Sequence, residues 1–92
     1  VTGTVPDAEQ FLTLVARLQA EEPRLSAIQA GLLAAASLGI AHDSRTFARH
    51  LGLAHALVLR ELNALAERGD RLSIETRDAR TMRTHYILPG KT

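Results

Sequence analysis

Cysteine is absent from this chain, which excludes disulfides, thiol nucleophiles and thiolate metal sites. Tryptophan is absent as well, and Phe11, Phe47 and Tyr86 are the only aromatic side chains. Long hydrophobic runs are missing too. The longest, Gly31 to Ile40, is about ten residues interrupted by Ser37, against the roughly 20 that a membrane-spanning helix needs. No secretion signal is visible, and these absences together fit a cytoplasmic setting. A length of 92 residues allows one domain and leaves no room for a catalytic domain with a regulatory one beside it.

What the chain has in quantity is alanine and leucine, fifteen of each. These side chains lose least on entering a helix, so the core is expected to be mainly helical. Charge is divided unevenly. Residues 1–43 set Arg17 and Arg24 against Asp7, Glu9, Glu21, Glu22 and Asp43, a net −3. Residues 44–92 carry nine basic side chains against Glu61, Glu67, Asp70, Glu75 and Asp78, a net +4. A basic second half suits a face that meets a polyanion.

Along the chain, residues 1–6 read as a flexible arm and residues 7–92 as a single domain. Asp7, with Gln10 three places on, is placed to cap a first helix whose apolar stripe is Ala8, Phe11, Leu12, Val15 and Leu18. Glu21-Glu22-Pro23 ends it. Ser26 with Gln29 opens a second helix, apolar nearly all round and therefore central, which Gly39 stops. Ile40-Ala41-His42 is long enough for a single bridging strand. Asp43-Ser44 caps a helix of two turns ending at Leu51, and Ala54 to Arg68 forms a longer one closed by Gly69. The period then changes to two. Leu72, Ile74 and Thr76, then Met82, Thr84, Tyr86 and Leu88, alternate with polar residues about a charged tip, Asp78-Ala79-Arg80-Thr81. That pattern predicts a β-hairpin.

The junction between the third and fourth helices is diagnostic. Two helices meeting at a steep angle need a small residue where they approach, a glycine at the corner and an apolar anchor beyond it. Ala48, Gly52, Leu53 and Val58 supply these at helix-turn-helix spacing. Followed by a hairpin, they predict a mainly α fold with a C-terminal β-hairpin, a winged helix-turn-helix of order α-α-(short β)-α-α-hairpin.

Five segments carry a family resemblance: Leu25-Ser26 with Gln29, Phe47-Ala48 to Leu51-Gly52-Leu53, Leu65 to Gly69, Asp78-Ala79-Arg80, and Leu88-Pro89-Gly90. In order and spacing, over roughly residues 25–90, the chain resembles the MarR-type winged-helix regulators. The resemblance implies a sequence-specific transcriptional regulator that binds double-stranded DNA, with helix 54–68 in the major groove and the wing, residues 77–83, at the minor groove and phosphates. Opposite Val58, at about 100° per residue, lie Ala56, Arg60 and Asn63. On this reading Arg60 reads guanine, Asn63 bonds adenine or a phosphate, and His55 reaches a base or phosphate from the helix start. Arg80 enters the minor groove with Asp78 holding its guanidinium, while Arg77 and Arg83 bond phosphates. Ser44, Arg45 and Thr46 open the preceding helix, whose free N–H groups suit a phosphate. MarR-type regulators continue past the wing into helices that build their dimer. Here helix one and the N-terminal arm are expected to make a homodimer instead, and no effector pocket is expected.

The competing expectation is a winged helix used for protein interaction, with Ala56, Leu57 and Leu59 as an apolar docking face. His42, His50, His55 and His85 show no ligand spacing, so no metal or other cofactor is expected. No serine stands in a nucleophile motif and no carboxylates pair, so no enzymatic activity is expected.

Overall fold

The computed structural model describes residues 6–89, with side chains from Ala8 onward. Four helices, α1 (Pro6–Glu21), α2 (Ala27–Ser37), α3 (Ser44–Leu51) and α4 (His55–Arg68), precede two antiparallel strands, β1 (Ser73–Arg77) and β2 (Thr84–Ile87). This is the expected mainly α fold with a C-terminal hairpin. Among the described residues no helix is long and apolar enough to cross a membrane.

Helix α1 begins at Pro6, a first-turn position where the missing N–H costs nothing. Asp7 therefore falls inside the first turn instead of capping it, and residues 1–5 of the expected arm lie outside the described residues. The second cap forms as the sequence predicts. The Ser26 hydroxyl accepts the Gln29 N–H at 3.1 Å, and the Gln29 side chain accepts the Ser26 N–H at 3.2 Å.

Helix α2 runs through the middle of the domain, buried without a break from Ala30 to Ala36. Gly31 lets its neighbours come close. A Cβ there would sit 3.2 Å from the Phe47 ring and 3.5 Å from the Phe11 ring. The two phenylalanines, from α3 and α1, thus close over bare backbone, a contact that larger residues would push apart. Leu25, Leu32, Phe47, Val58, Leu62, Leu65, Leu72 and Tyr86 complete the core. Burial, followed by the nearby Asp43 charge, pushes the Tyr86 hydroxyl far above its ordinary pKa, so it stays protonated.

The corner between α3 and α4 is built on Gly52, whose φ of 67° lies in the left-handed region that glycine enters freely. The Leu53 N–H then turns back to the Ala48 carbonyl at 2.9 Å. Ala48 itself is buried between the helices.

Two strand expectations are corrected. The bridging strand at residues 40–42 shrinks to one bridge between Asp43 and His85, with the Tyr86 N–H donating to the His42 carbonyl at 3.2 Å. In the hairpin, Ile74 pairs with Tyr86 but Thr76 pairs with His85, so Glu75 is an extra residue in β1. This bulge reverses the alternation. Thr76, expected beside Leu72 and Ile74, is exposed, while Arg77, itself exposed, pairs with buried Thr84 and so stands on the face of the hairpin nearer α4. Met82 leaves the strand pattern as well. It is exposed, at a φ of 64° in the connecting turn.

Candidate nucleic-acid interface

Three contacts fasten the hairpin to α3 and α4. Arg77, turned toward α4 by the bulge, donates to the Asn63 side-chain oxygen at 2.7 Å and to the Thr84 hydroxyl at 3.1 Å. Arg45, in the first turn of α3, donates to the Thr81 carbonyl in the hairpin turn at 3.4 Å. Below them the Ser44 hydroxyl accepts the Thr84 N–H at 3.0 Å and lies 2.7 Å from His55 Nε2. The one hydroxyl therefore touches both β2 and the first residue of α4. Burial, followed by the Arg45 charge, pushes the His55 pKa down despite the opposing influence of Asp43. His55 therefore joins the two helices and the hairpin as a neutral ring.

A second knot surrounds Asp43, the cap of α3. Its carboxylate accepts the Thr46 N–H at 3.0 Å and the Thr46 hydroxyl at 2.7 Å, and it pairs with Arg83 at 3.3 Å. Burial works to raise its pKa, but the Thr46 hydrogen bonds and the Arg83 charge outweigh that and hold it below the usual carboxylate range.

These contacts change the roles expected of several residues. Ser44 is fully buried, so its hydroxyl presents nothing at the surface. Thr46 and Arg83 are engaged by Asp43. Asp78 does not hold the Arg80 guanidinium. Its carboxylate accepts the backbone N–H groups of Arg80 at 2.8 Å and Thr81 at 3.2 Å, and these two bonds lower its pKa. It thereby shapes the turn that carries Arg80. Asn63 is exposed but accepts from Arg77.

Arg60 and Arg80 are exposed, and among the described residues their side chains make no ion pair or hydrogen bond. Ala56 is open beside Arg60 on the outward line of α4. Leu57 and Leu59 are each half-buried, which leaves Ala56 as the one fully open member of the expected apolar docking face.

Arg49 is a residue that the sequence reading missed. It is exposed one turn after Arg45, and both line a hollow of about 240 Å³ with Ala48, Leu53 and His55 at the mouth of the α3–α4 corner. Its signal was the i, i+4 spacing from Arg45, which puts both guanidiniums on one side of α3.

Other arginines are spoken for. Arg68 and Arg71 both reach Glu22 in the α1–α2 turn, Arg71 at 3.1 Å, and Arg68 also meets Asp70 at 3.0 Å. On that side a groove of about 610 Å³ is walled by Leu14, Leu18, Leu33, Ile87 and Leu88, with Asp70 and Arg71 on its rim. Among the described residues no three histidines or carboxylates gather as a metal ion would require. No protein-family model, curated protein or solved structure matches this chain.

Proposed function

We propose that this chain is a winged helix-turn-helix domain of MarR-like type that binds double-stranded DNA sequence-specifically and regulates transcription, acting as a homodimer. In this reading α3 and α4 are the helix-turn-helix, with α4 in the major groove, and the hairpin is the wing. The supporting observation is the fastening of the hairpin to both helices through Arg45–Thr81 and Arg77–Asn63, beside arginines that no carboxylate neutralises. A duplex carries one negative charge per roughly 1.7 Å of axis, so a rigid surface of unpaired guanidiniums is suited to it.

Each residue takes a role its geometry permits. Arg60 reads a base edge from the outward line of α4, and Arg80 reaches the minor groove from a turn shaped by Asp78. Arg45 meets a phosphate from the first turn of α3, where free N–H groups add to the attraction, and Arg49 meets one from its last turn. Arg77 and Asn63 act as a pair, Arg77 keeping donors for a phosphate while it orients Asn63. Ser44 and His55 hold the helices and wing together from beneath. The protein-interaction alternative is weaker, because Leu57 and Leu59 are half-buried.

Selection of the purified domain against a pool of random duplexes tests the proposal. Enrichment of a defined motif, with affinity falling steeply as salt rises, is the expected outcome. Retention of no duplex at low salt would overturn it.

A further inference from the structure

Among the described residues, Asn63 and Arg77 form the one hydrogen-bonded pair that joins α4 directly to the hairpin. Chemistry fixes its direction. A guanidinium carries only N–H donors, so the atom it meets at 2.7 Å is the amide oxygen of Asn63. The guanidinium is itself held from behind. Its Nε–H donates to the Thr84 hydroxyl at 3.1 Å, and that hydroxyl donates in turn to the Met82 carbonyl at 3.0 Å. Thr84 is fully buried, so this chain of bonds is anchored in the domain. The other limb of the amide is free. Among the described residues no hydrogen bond uses Nδ2 of Asn63, and the residue is exposed with Arg60 on the outward line of α4.

An unrestrained asparagine can turn either end of its amide to a base. Its usual major-groove partner is adenine, which needs both ends at once: the oxygen accepts from the N6 amino group while the nitrogen donates to N7. Here the Arg77 contact opposes that arrangement. A second donor brought to the Asn63 oxygen would meet the N–H groups and positive charge of Arg77. What Asn63 offers outward is a pair of N–H donors. Guanine answers with two acceptors, O6 and N7, thymine with the single acceptor O4, and cytosine with an amino donor that opposes them.

We infer that Arg77 is a positioning residue that makes Asn63 a donor-only reader, selecting guanine and rejecting adenine at one base pair of the duplex. The inference rests on the DNA-binding reading and names the base recognised at that site. Arg60 precedes Asn63 by about 4.5 Å along the helix at 1.5 Å per residue, and successive base pairs are about 3.4 Å apart. The two side chains therefore address neighbouring base pairs, and the selected motif should carry two guanines close together.

Selection against random duplexes, run on the wild type and three variants, tests it. Asn63→Ala identifies the base position under Asn63, as the one whose preference disappears. In the wild type that position should be guanine, favoured over adenine by about tenfold in anisotropy titrations of duplexes differing at that pair alone. Arg77→Met releases the amide, so the guanine preference there should shrink to about twofold or turn to adenine. Loss of a phosphate contact alone would weaken all duplexes equally and leave this base preference unmoved. Asn63→Asp keeps the shape and the Arg77 contact but exchanges donors for acceptors, and the same position should turn to cytosine. Both residues are exposed, so the variants should keep the wild-type helix content. Adenine or cytosine at that position in the wild type would overturn the inference and leave the DNA reading standing. So would a guanine preference that survives Arg77→Met or Asn63→Asp, or a motif that Asn63→Ala leaves unchanged. Enrichment of no motif by the wild type would be failure of the DNA reading itself, and the inference would fall with it.

Discussion

Arginine has different company at the two ends of α4. Near the C-terminal end, Arg68 and Arg71 converge on Glu22, and Asp70 closes the cluster. Toward the other end and on the hairpin, Arg49, Arg60 and Arg80 meet solvent, while Arg45 and Arg77 bond only neutral oxygens. The charge split along the sequence is therefore not a split in space. The acidic first half sends Glu22 to neutralise Arg68 and Arg71 and Asp43 to neutralise Arg83. What remains open is a smaller set of guanidiniums, concentrated where the hairpin meets α3 and α4. A surface that binds a polyanion is defined by which cations lack a carboxylate, and counting cations alone cannot find it.

The sharpest way to break this contrast is to remove open arginines. Arg60→Ala with Arg80→Ala should lower duplex affinity by about a hundredfold or more at low salt, read by fluorescence anisotropy. Arg60→Ala alone should also relax preference at one base position, seen by repeating the selection. Next in size is the fastening beneath the open face. Ser44→Ala leaves the buried Thr84 N–H without its acceptor, a loss of about 1–3 kcal/mol in urea denaturation. Because that bond ties β2 to α3, duplex affinity should fall as well, although Ser44 itself is buried.

Two finer comparisons follow. Arg80→Ala by itself should reduce the slope of log affinity against log salt by about one unit and weaken all duplexes alike. Glu22→Gln is its counterpart at the paired end. It releases Arg68 and Arg71 from their shared carboxylate, and the expected result is a thermal midpoint lower by a few degrees at most, with unchanged motif preference. If Glu22→Gln altered the motif as strongly as Arg60→Ala, the two ends would not be functionally distinct.

Local chemistry made much of the fold legible in the sequence. Ser26 with Gln29, Asp43, Gly52 and Gly69 mark helix ends that the structure reproduces, because caps and left-handed glycines act within a few residues. The site was less legible because its bonds are long-range. Ser44 reads as an exposed first-turn hydroxyl until Thr84, 40 residues away, takes it inside. Glu22 and Arg71 are 49 residues apart, and nothing local announces their pairing. The bulge at Glu75 is decisive for Arg77. Strict alternation groups Arg77 with Ser73 and Glu75, whereas the extra residue turns it to Asn63. Asp78 was placed correctly at the tip, but its partners are amides and not a guanidinium, a distinction that turn geometry makes and residue type does not.

Acidity separates the two ends by a different route, with the smallest expected effect. His55 binds its proton less tightly in the folded chain than at the usual value of 6.5, because burial and then the Arg45 charge oppose the imidazolium. As pH falls below that value the unfolded chain takes up the proton first, so stability drops with falling pH and is regained above it. The charge arises beside the Ser44 hydroxyl, where α4, α3 and the hairpin meet. The paired end gives no such response in this range. Asp70 and Glu22 raise the Arg68 pKa and Arg68 lowers that of Asp70, so both groups keep their charge. Asp43, also lowered, gives up its contribution only in more acid solution, below the ordinary 3.8 of a carboxyl group. Thermal midpoints measured at about pH 7.5 and about pH 5.5 for the wild type and His55→Gln isolate the effect, since the two proteins differ at this side chain alone. The wild type should lose more on acidification than the variant. Equal losses would mean that His55 is not the group coupling the hairpin to pH.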